Sequence, residues 1–196
     1  MRPPVPLPTA PPFVSLYTPT FRRPQALVRN IESVARQTAR EHVEQVIVPD
    51  HVGHGIAWGL FGRIKWYAPA LRGLYVAVVA DDDHLAADDV VAKVKAFAEA
   101  HDFPEVIVVR AVKNGFEYPT CQVGKGGPPL VAEVDLCCYI VRSDVFARHA
   151  ADYGARYEGD FDHAKVLYDA GYRHEFCDVL WVDGAASNGR PETDWP

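Results

Sequence analysis

Short apolar, β-prone runs alternate with stretches of helical period from Phe13 to Arg110, and few architectures accept that pattern. Phe13-Val-Ser-Leu-Tyr17 is the first run, and Thr18-Pro-Thr20 is expected to break it. From Pro24 to about Thr38, Leu27, Ile31 and Val34 recur at helical spacing, with Pro24 in a first turn that tolerates its missing N–H. Gln45-Val-Ile-Val48 predicts a second strand ending at Pro49-Asp50, and His51 to Gly55 a loop. Ile56, Leu60 and Ile64 suggest a helix stopped by Pro69, and Leu74 to Ala80 reads as a strand covered on both faces. Asp88 or Asp89 can cap a helix carrying Val90, Val91, Val94, Phe97 and Ala98, and Glu105 to Arg110 predicts the next strand. The resulting order, β-α-β-α-β-α-β, implies an α/β layer structure with a central, mostly parallel mixed sheet flanked by helices.

Beyond Arg110 the pattern loosens. Glycines and prolines from Ala111 to Glu133, including Gly124-Lys-Gly-Gly-Pro-Pro129, predict a long irregular connection. Val134 to Val141 reads as a strand containing Cys137-Cys138, Ser143 as the cap of a short helix, Asp160 to Ala170 as a helix stopped by Gly171, and Arg173 to Val182 as a last strand. With 196 residues, one domain over 13–182 is expected, between a proline-rich arm (1–12) and a polar tail (183–196). The arm holds six prolines in twelve residues, which is no signal-peptide pattern. Four cysteines without a CxxC pair predict a reduced, cytoplasmic protein. No apolar run approaches the roughly 20 residues of a membrane span. A net charge of -6 argues against nucleic acid or an anionic membrane as partner, since either needs a basic face.

Three carboxylates, Asp81, Asp82 and Asp83, stand where the buried strand is expected to end, the edge at which open α/β sheets bind ligands. Adjacent carboxylates repel one another unless a cation joins them. A hard divalent cation, Mn2+ or Mg2+, shares its oxygen shell between one or two carboxylates and substrate phosphates. In extended geometry Asp81 and Asp83 would face one side and could hold it together. The ordinary alternative is a solvated acidic turn.

Three segments in order carry a resemblance to a known family. Thr18-Pro-Thr-Phe-Arg-Arg-Pro24 leading into Ile31-Glu-Ser-Val-Ala-Arg-Gln-Thr38, then Val46-Ile-Val-Pro-Asp50, then Val78-Val-Ala-Asp-Asp-Asp-His-Leu85 resemble the opening of inverting family 2 glycosyltransferases of the GT-A fold. Further on, Val141-Arg-Ser-Asp-Val-Phe146 is similar to the family's arginine-containing phrase, and Gly159-Asp-Phe-Asp162 occupies the place of its Glu-Asp motif, with Gly159 where the family has glutamate. The resemblance implies a GT-A domain and a nucleotide-sugar-dependent hexosyltransferase. It assigns the donor to Thr18, Pro19, Thr20, Asp50, Arg63 and Asp82, the divalent cation to Asp81 and Asp83, and the general base to Asp160, with Glu158 or Asp162 as substitutes. Some GT-A enzymes add a late histidine to the metal, for which His174 is the candidate.

The implied partners are a UDP- or GDP-sugar and a saccharide or other hydroxyl acceptor. The residue types suit that chemistry: a carboxylate within hydrogen-bond reach takes the acceptor's proton, and a cation meets the charge that develops on the departing diphosphate. Other readings of the same residues are a nucleotide-sugar-binding homologue without turnover, a metal-dependent nucleotidyltransferase or phosphohydrolase, and, for Asp160, a helix N-cap.

Overall fold

The computed structural model describes residues 10–50, 62–153 and 158–184. The strands are β1 (Val14–Thr20), β2 (Val43–Pro49), β3 (Tyr75–Val78), β4 (Asp83–Leu85), β5 (Val106–Lys113), β6 (Phe116–Tyr118), β7 (Tyr139–Arg142) and β8 (His174–Gly184). They form one sheet in the order β2-β1-β3-β7-β5-β8-β4, with β6 paired to β5. β1 runs parallel to β2 and β3, and β5 parallel to β8. β7 is antiparallel to both its neighbours, and β4 is antiparallel to the end of β8, so the sheet is mixed.

Helices α1 (Pro24–Ala35), α2 (Gly62–Tyr67), α3 (Val90–Ala100), α4 (Ser143–His149) and α5 (Gly159–Asp169) flank it. The core is the sheet's own aliphatic residues, among them Leu16, Val76, Ile107 and Ile140, closed by Tyr17, Phe146 and Trp181. The loop expected over 51–55 and the first part of the helix expected from Ile56 lie outside the described residues. So do 1–9 of the arm and 185–196 of the tail, whereas Asp183 and Gly184 complete β8.

Several expectations are corrected, each for a local reason. Thr18-Pro-Thr20 does not end β1. Pairing of β1 with β3 stops at Tyr17↔Val78 while pairing with β2 continues to Thr20↔Pro49, so the N–H that Pro19 lacks falls beyond the β3 ladder. β5 runs on to Lys113 because Asn114 and Gly115, at φ 54° and 79°, turn the chain into a hairpin with β6. Cys137 and Cys138 lie in a 3₁₀ turn, Leu136–Cys138, capped by the Asp135 side chain, and not in a strand.

Helix α1 buries Ala26, Asn30, Ser33 and Val34, whereas Ile31 is exposed. Half of its inward stripe is therefore polar, because it packs on the backbone around β4, whose N–H and C=O groups need partners. Asp89 flanks α3 without capping it by its side chain and instead pairs with Lys93 at 3.0 Å.

Candidate active site

The acidic triplet is not a plain strand end. β3 stops at Val78, the chain turns through Asp81 and Asp82, and Asp83 opens β4 against Gly184. The turn sends the carboxylates to different neighbours. Asp81 is fully buried and meets the β1–α1 turn: Phe21 N–H donates to its Oδ2 at 3.2 Å, Arg23 lies 2.6 Å from Oδ1, and the Thr20 hydroxyl donates to it. Arg23 also holds Asp82, at 2.5 Å. Asp83 points elsewhere, accepting from Lys113 Nζ at 2.7 Å. Asp81 and Asp83 thus do not face one side.

Lys113 links this triplet to the far side of the site. It lies 3.3 Å from Asp135, whose Oδ1 also accepts from Cys137 N–H at 3.1 Å. A shift in register between β5 and β8 sets Lys113 opposite Gly184, and a Cβ on Gly184 would lie 2.6 Å from Asp83 Oδ1 and 3.2 Å from Lys113 Cδ. The absence of that Cβ makes room for the ion pair. We expect Gly184→Ala to destabilise the chain by about 1–2 kcal/mol through overpacking, measured by denaturant unfolding; an unchanged midpoint would contradict this packing.

Asp160 sits in the first turn of α5, and its Oδ1 accepts from Phe161 N–H at 2.7 Å. It is not the helix N-cap, which is Glu158. Burial pushes its carboxyl up to about 6; the Phe161 N–H opposes the shift, the charge of Asp135 adds to it and Lys113 opposes it. Burial likewise raises Asp81 to about 6 against the pull of Arg23. Burial raises Asp83 too, with Lys113 opposing, while the two carboxylates around Lys113 keep its ammonium protonated. The charge felt at Asp160 is therefore partly set by the pair that holds Asp83.

The remaining expected donor residues divide into two groups. Asp50 and Arg63 come together: Arg63 lies 3.9 Å from Asp50 Oδ1, donates to Pro49 O at 2.9 Å and stands over the Tyr67 ring. Thr20 joins them through its carbonyl, which accepts from Asp50 N–H at 2.8 Å. Thr18 and Pro19 are interior. The Thr18 hydroxyl accepts from Gln45 at 3.1 Å, and the Pro19 carbonyl accepts from Asp81 N–H at 3.2 Å, so both support the turn and not a ligand face. His174 opens β8 opposite Val106, ten residues along the strand from Gly184, and its Nδ1 faces Tyr172 O at 2.8 Å; it is not brought to the triplet. Glu158 is exposed.

Four residues that hold the site together went unnoticed in the sequence: Arg23, Asn30, Lys113 and Asp135. Asn30 is fully buried and donates to Ala80 O at 3.0 Å and Asp83 O at 2.8 Å. Ser33 accepts from Leu85 N–H, and Gln37 donates to Ala87 O while accepting from Val91 N–H. Asn30, Ser33 and Gln37 lie at i, i+3 and i+7, the spacing of one helix face, and that was the signal available. For Lys113, the signal was Asn114-Gly115, which places the preceding residue at a hairpin tip.

No protein-family model matches the sequence, and no curated protein matches it. Solved structures do match. Staphylococcus aureus TarS 1–349 in complex with UDP-GlcNAc aligns at TM-score 0.63 and 16% identity, over 91% of this chain and 60% of that one. A mannosyltransferase from Pyrobaculum calidifontis, PcManGT, in complex with GDP-Man and Mn2+, aligns at TM-score 0.61 and 13% identity, over 97% of this chain and 61% of that one. The chain thus spans about 60% of the length of these structures. The fold is that of the GT-A glycosyltransferases: a single α/β domain with a mixed, curled sheet flanked by helices.

The cation expected at Asp81 and Asp83 has to contend with what those carboxylates already hold. Each is in contact with a side-chain cation, Arg23 or Lys113. Among the described residues no group of three His, Cys, Asp or Glu side chains is arranged to hold a metal. The donor set therefore does not fit a resident divalent ion as it stands. No helix among the described residues is long and apolar enough to cross a membrane.

Proposed function

We propose that the chain is a glycosyltransferase that moves a sugar, a hexose, from a UDP- or GDP-linked donor to a hydroxyl acceptor, with inversion at the anomeric carbon. One observation carries this reading. On a GT-A sheet, Lys113 pairs with Asp83 of the acidic triplet and with Asp135, and the charges of Lys113 and Asp135 are both felt at the half-buried carboxyl of Asp160. A carboxyl raised to about 6 is ionised at neutral pH yet basic enough to accept a proton, which suits the general base of a direct displacement. Asp160 takes the proton of the acceptor hydroxyl as its oxygen attacks, and the nucleoside diphosphate departs with the bonding pair.

In this reading Asp50, just after β2, and Arg63, reaching it from α2, receive the base end of the nucleotide. Asp82, half-buried beside Arg23, lies toward the sugar and diphosphate, with Thr18, Pro19 and Thr20 shaping the turn beneath. The mannosyltransferase neighbour is complexed with Mn2+. Here Asp81 and Asp83 are taken up by Arg23 and Lys113.

Calorimetric titration with UDP and with GDP tests the reading. Saturable one-to-one binding of one of them is expected, together with slow hydrolysis of its hexose conjugates. Absence of binding by both nucleotides removes the donor site and the proposed activity with it.

A further inference from the structure

The two carboxylates that sequence reasoning reserves for a divalent ion differ in how they are held. Arg23 bridges Asp81 and Asp82 from the β1–α1 turn. Lys113 reaches Asp83 from the end of β5, and Asp135 fixes the same ammonium from a second direction. Asp83 is 2% exposed, so its pair with Lys113 lies in a place where a lone carboxylate is costly. Gly184 leaves the space in which Asp83 Oδ1 and the Lys113 stem pack. An incoming divalent ion would have to expel the ammonium from this buried pair. Removing one partner of such a pair carries a penalty equivalent to roughly 10²- to 10⁴-fold in affinity.

We propose that Lys113 is the resident cation of the donor site, taking at the diphosphate the place of a divalent metal, so that nucleoside diphosphate binds without one. The inference rests on the nucleotide-sugar reading above. Three adjacent carboxylates do require cations to relieve their repulsion, and in this chain the cations are side chains. An ammonium carries three N–H donors. Asp83 and Asp135 engage two of them, and a phosphate oxygen of the donor takes the third. The charge is then fixed in place before the leaving group develops its own, with no reorganisation during the reaction. No covalent step involves Lys113: it stabilises the departing diphosphate as a point charge and keeps its proton.

Two titrations of the full chain test this. In the first, UDP and GDP are titrated in excess EDTA and again in Mn2+. The dissociation constant is expected to agree within about threefold between the two conditions for the wild-type chain, to weaken at least tenfold in Lys113→Met in EDTA, and to be largely kept in Lys113→Arg. In the second, Mn2+ alone is titrated without nucleotide, and the wild-type chain is expected to bind none.

Nucleotide binding that appears only with Mn2+, or Mn2+ binding by the free wild-type chain, overturns the proposal while leaving the donor reading intact. No nucleotide binding in either buffer overturns the donor reading first and this inference with it. Circular dichroism checks that Lys113→Met is folded; should it not fold, the EDTA and Mn2+ comparison on the wild type and Lys113→Arg decides the matter alone.

Discussion

Asp160→Asn is expected to lower sugar transfer by about 10²- to 10⁴-fold, the range for loss of a positioned general base, while leaving nucleotide affinity unchanged. The wild-type rate should rise with pH through about 6 as the carboxyl ionises, and the variant should lack that limb. The same substitution is expected to stabilise the chain. The folded carboxyl titrates near 6, above its ordinary value near 3.9, so the native state binds the extra proton between those values. Its favourable contribution is present below about 4 and is lost as pH rises through about 6. At pH 7.5 the ionised group is a net cost, and its removal should raise the unfolding free energy by about 1–2 kcal/mol once partial solvation is allowed for. Rate loss with a gain in stability marks a residue kept for chemistry; an unaltered rate would remove Asp160 from its role.

The parts of the fold that were legible in the sequence are those dictated by local period. The alternation from Phe13 to Arg110 follows from apolar spacing, and β1, β2, β3, α3 and β5 stand where it puts them, with ends displaced by a few residues. Strand direction was less accessible, because β7 is inserted antiparallel between β3 and β5 by contacts distant in sequence. The ends of elements were missed where tertiary pairing overrules a local breaker, as at Pro19, or where a hairpin extends a strand, as at Asn114-Gly115.

In the site, the acidic triplet could be singled out from its place at an expected strand end, and Asp160 from the family resemblance, each beside an ordinary alternative, an acidic turn or a helix N-cap. Their partners could not. Lys113 and Asp135 are separated from the triplet by dozens of residues, and only the sheet brings them beside Asp83. Arg23 is near in sequence to none of the aspartates it pairs with. A pattern of apolar positions also says nothing about a helix face that is buried for the sake of its hydrogen bonds.

On the buried polar face of α1, Asn30 is the position with the largest expected effect. Its amide nitrogen is held between two carbonyls, Ala80 O at 3.0 Å and Asp83 O at 2.8 Å, and its Oδ1 accepts from Gln45 at 2.6 Å. Asn30→Asp preserves shape and the bond from Gln45 but turns the amide nitrogen into an oxygen, so a fully buried carboxylate would face two carbonyl oxygens. The expected cost at pH 7.5 is about 3–5 kcal/mol, a large share of the 5–15 kcal/mol by which such domains are stable. Because burial and those carbonyls would raise the new carboxyl above its unfolded value, the lost stability should return in part as pH falls and the protonated group regains one donor.

Nucleotide affinity should fall by at least tenfold wherever the variant is still folded, since the turn carrying Asp81 to Asp83 is hung from this side chain. Ile31→Ala, at the adjacent exposed position, should stay within about 0.5 kcal/mol of the wild type. Denaturant unfolding of the two variants side by side measures the contrast. If Asn30→Asp proved as mild as Ile31→Ala, the polar face of α1 would not be what positions the acidic turn, and the apolar periodicity that first marked the helix would regain its ordinary meaning.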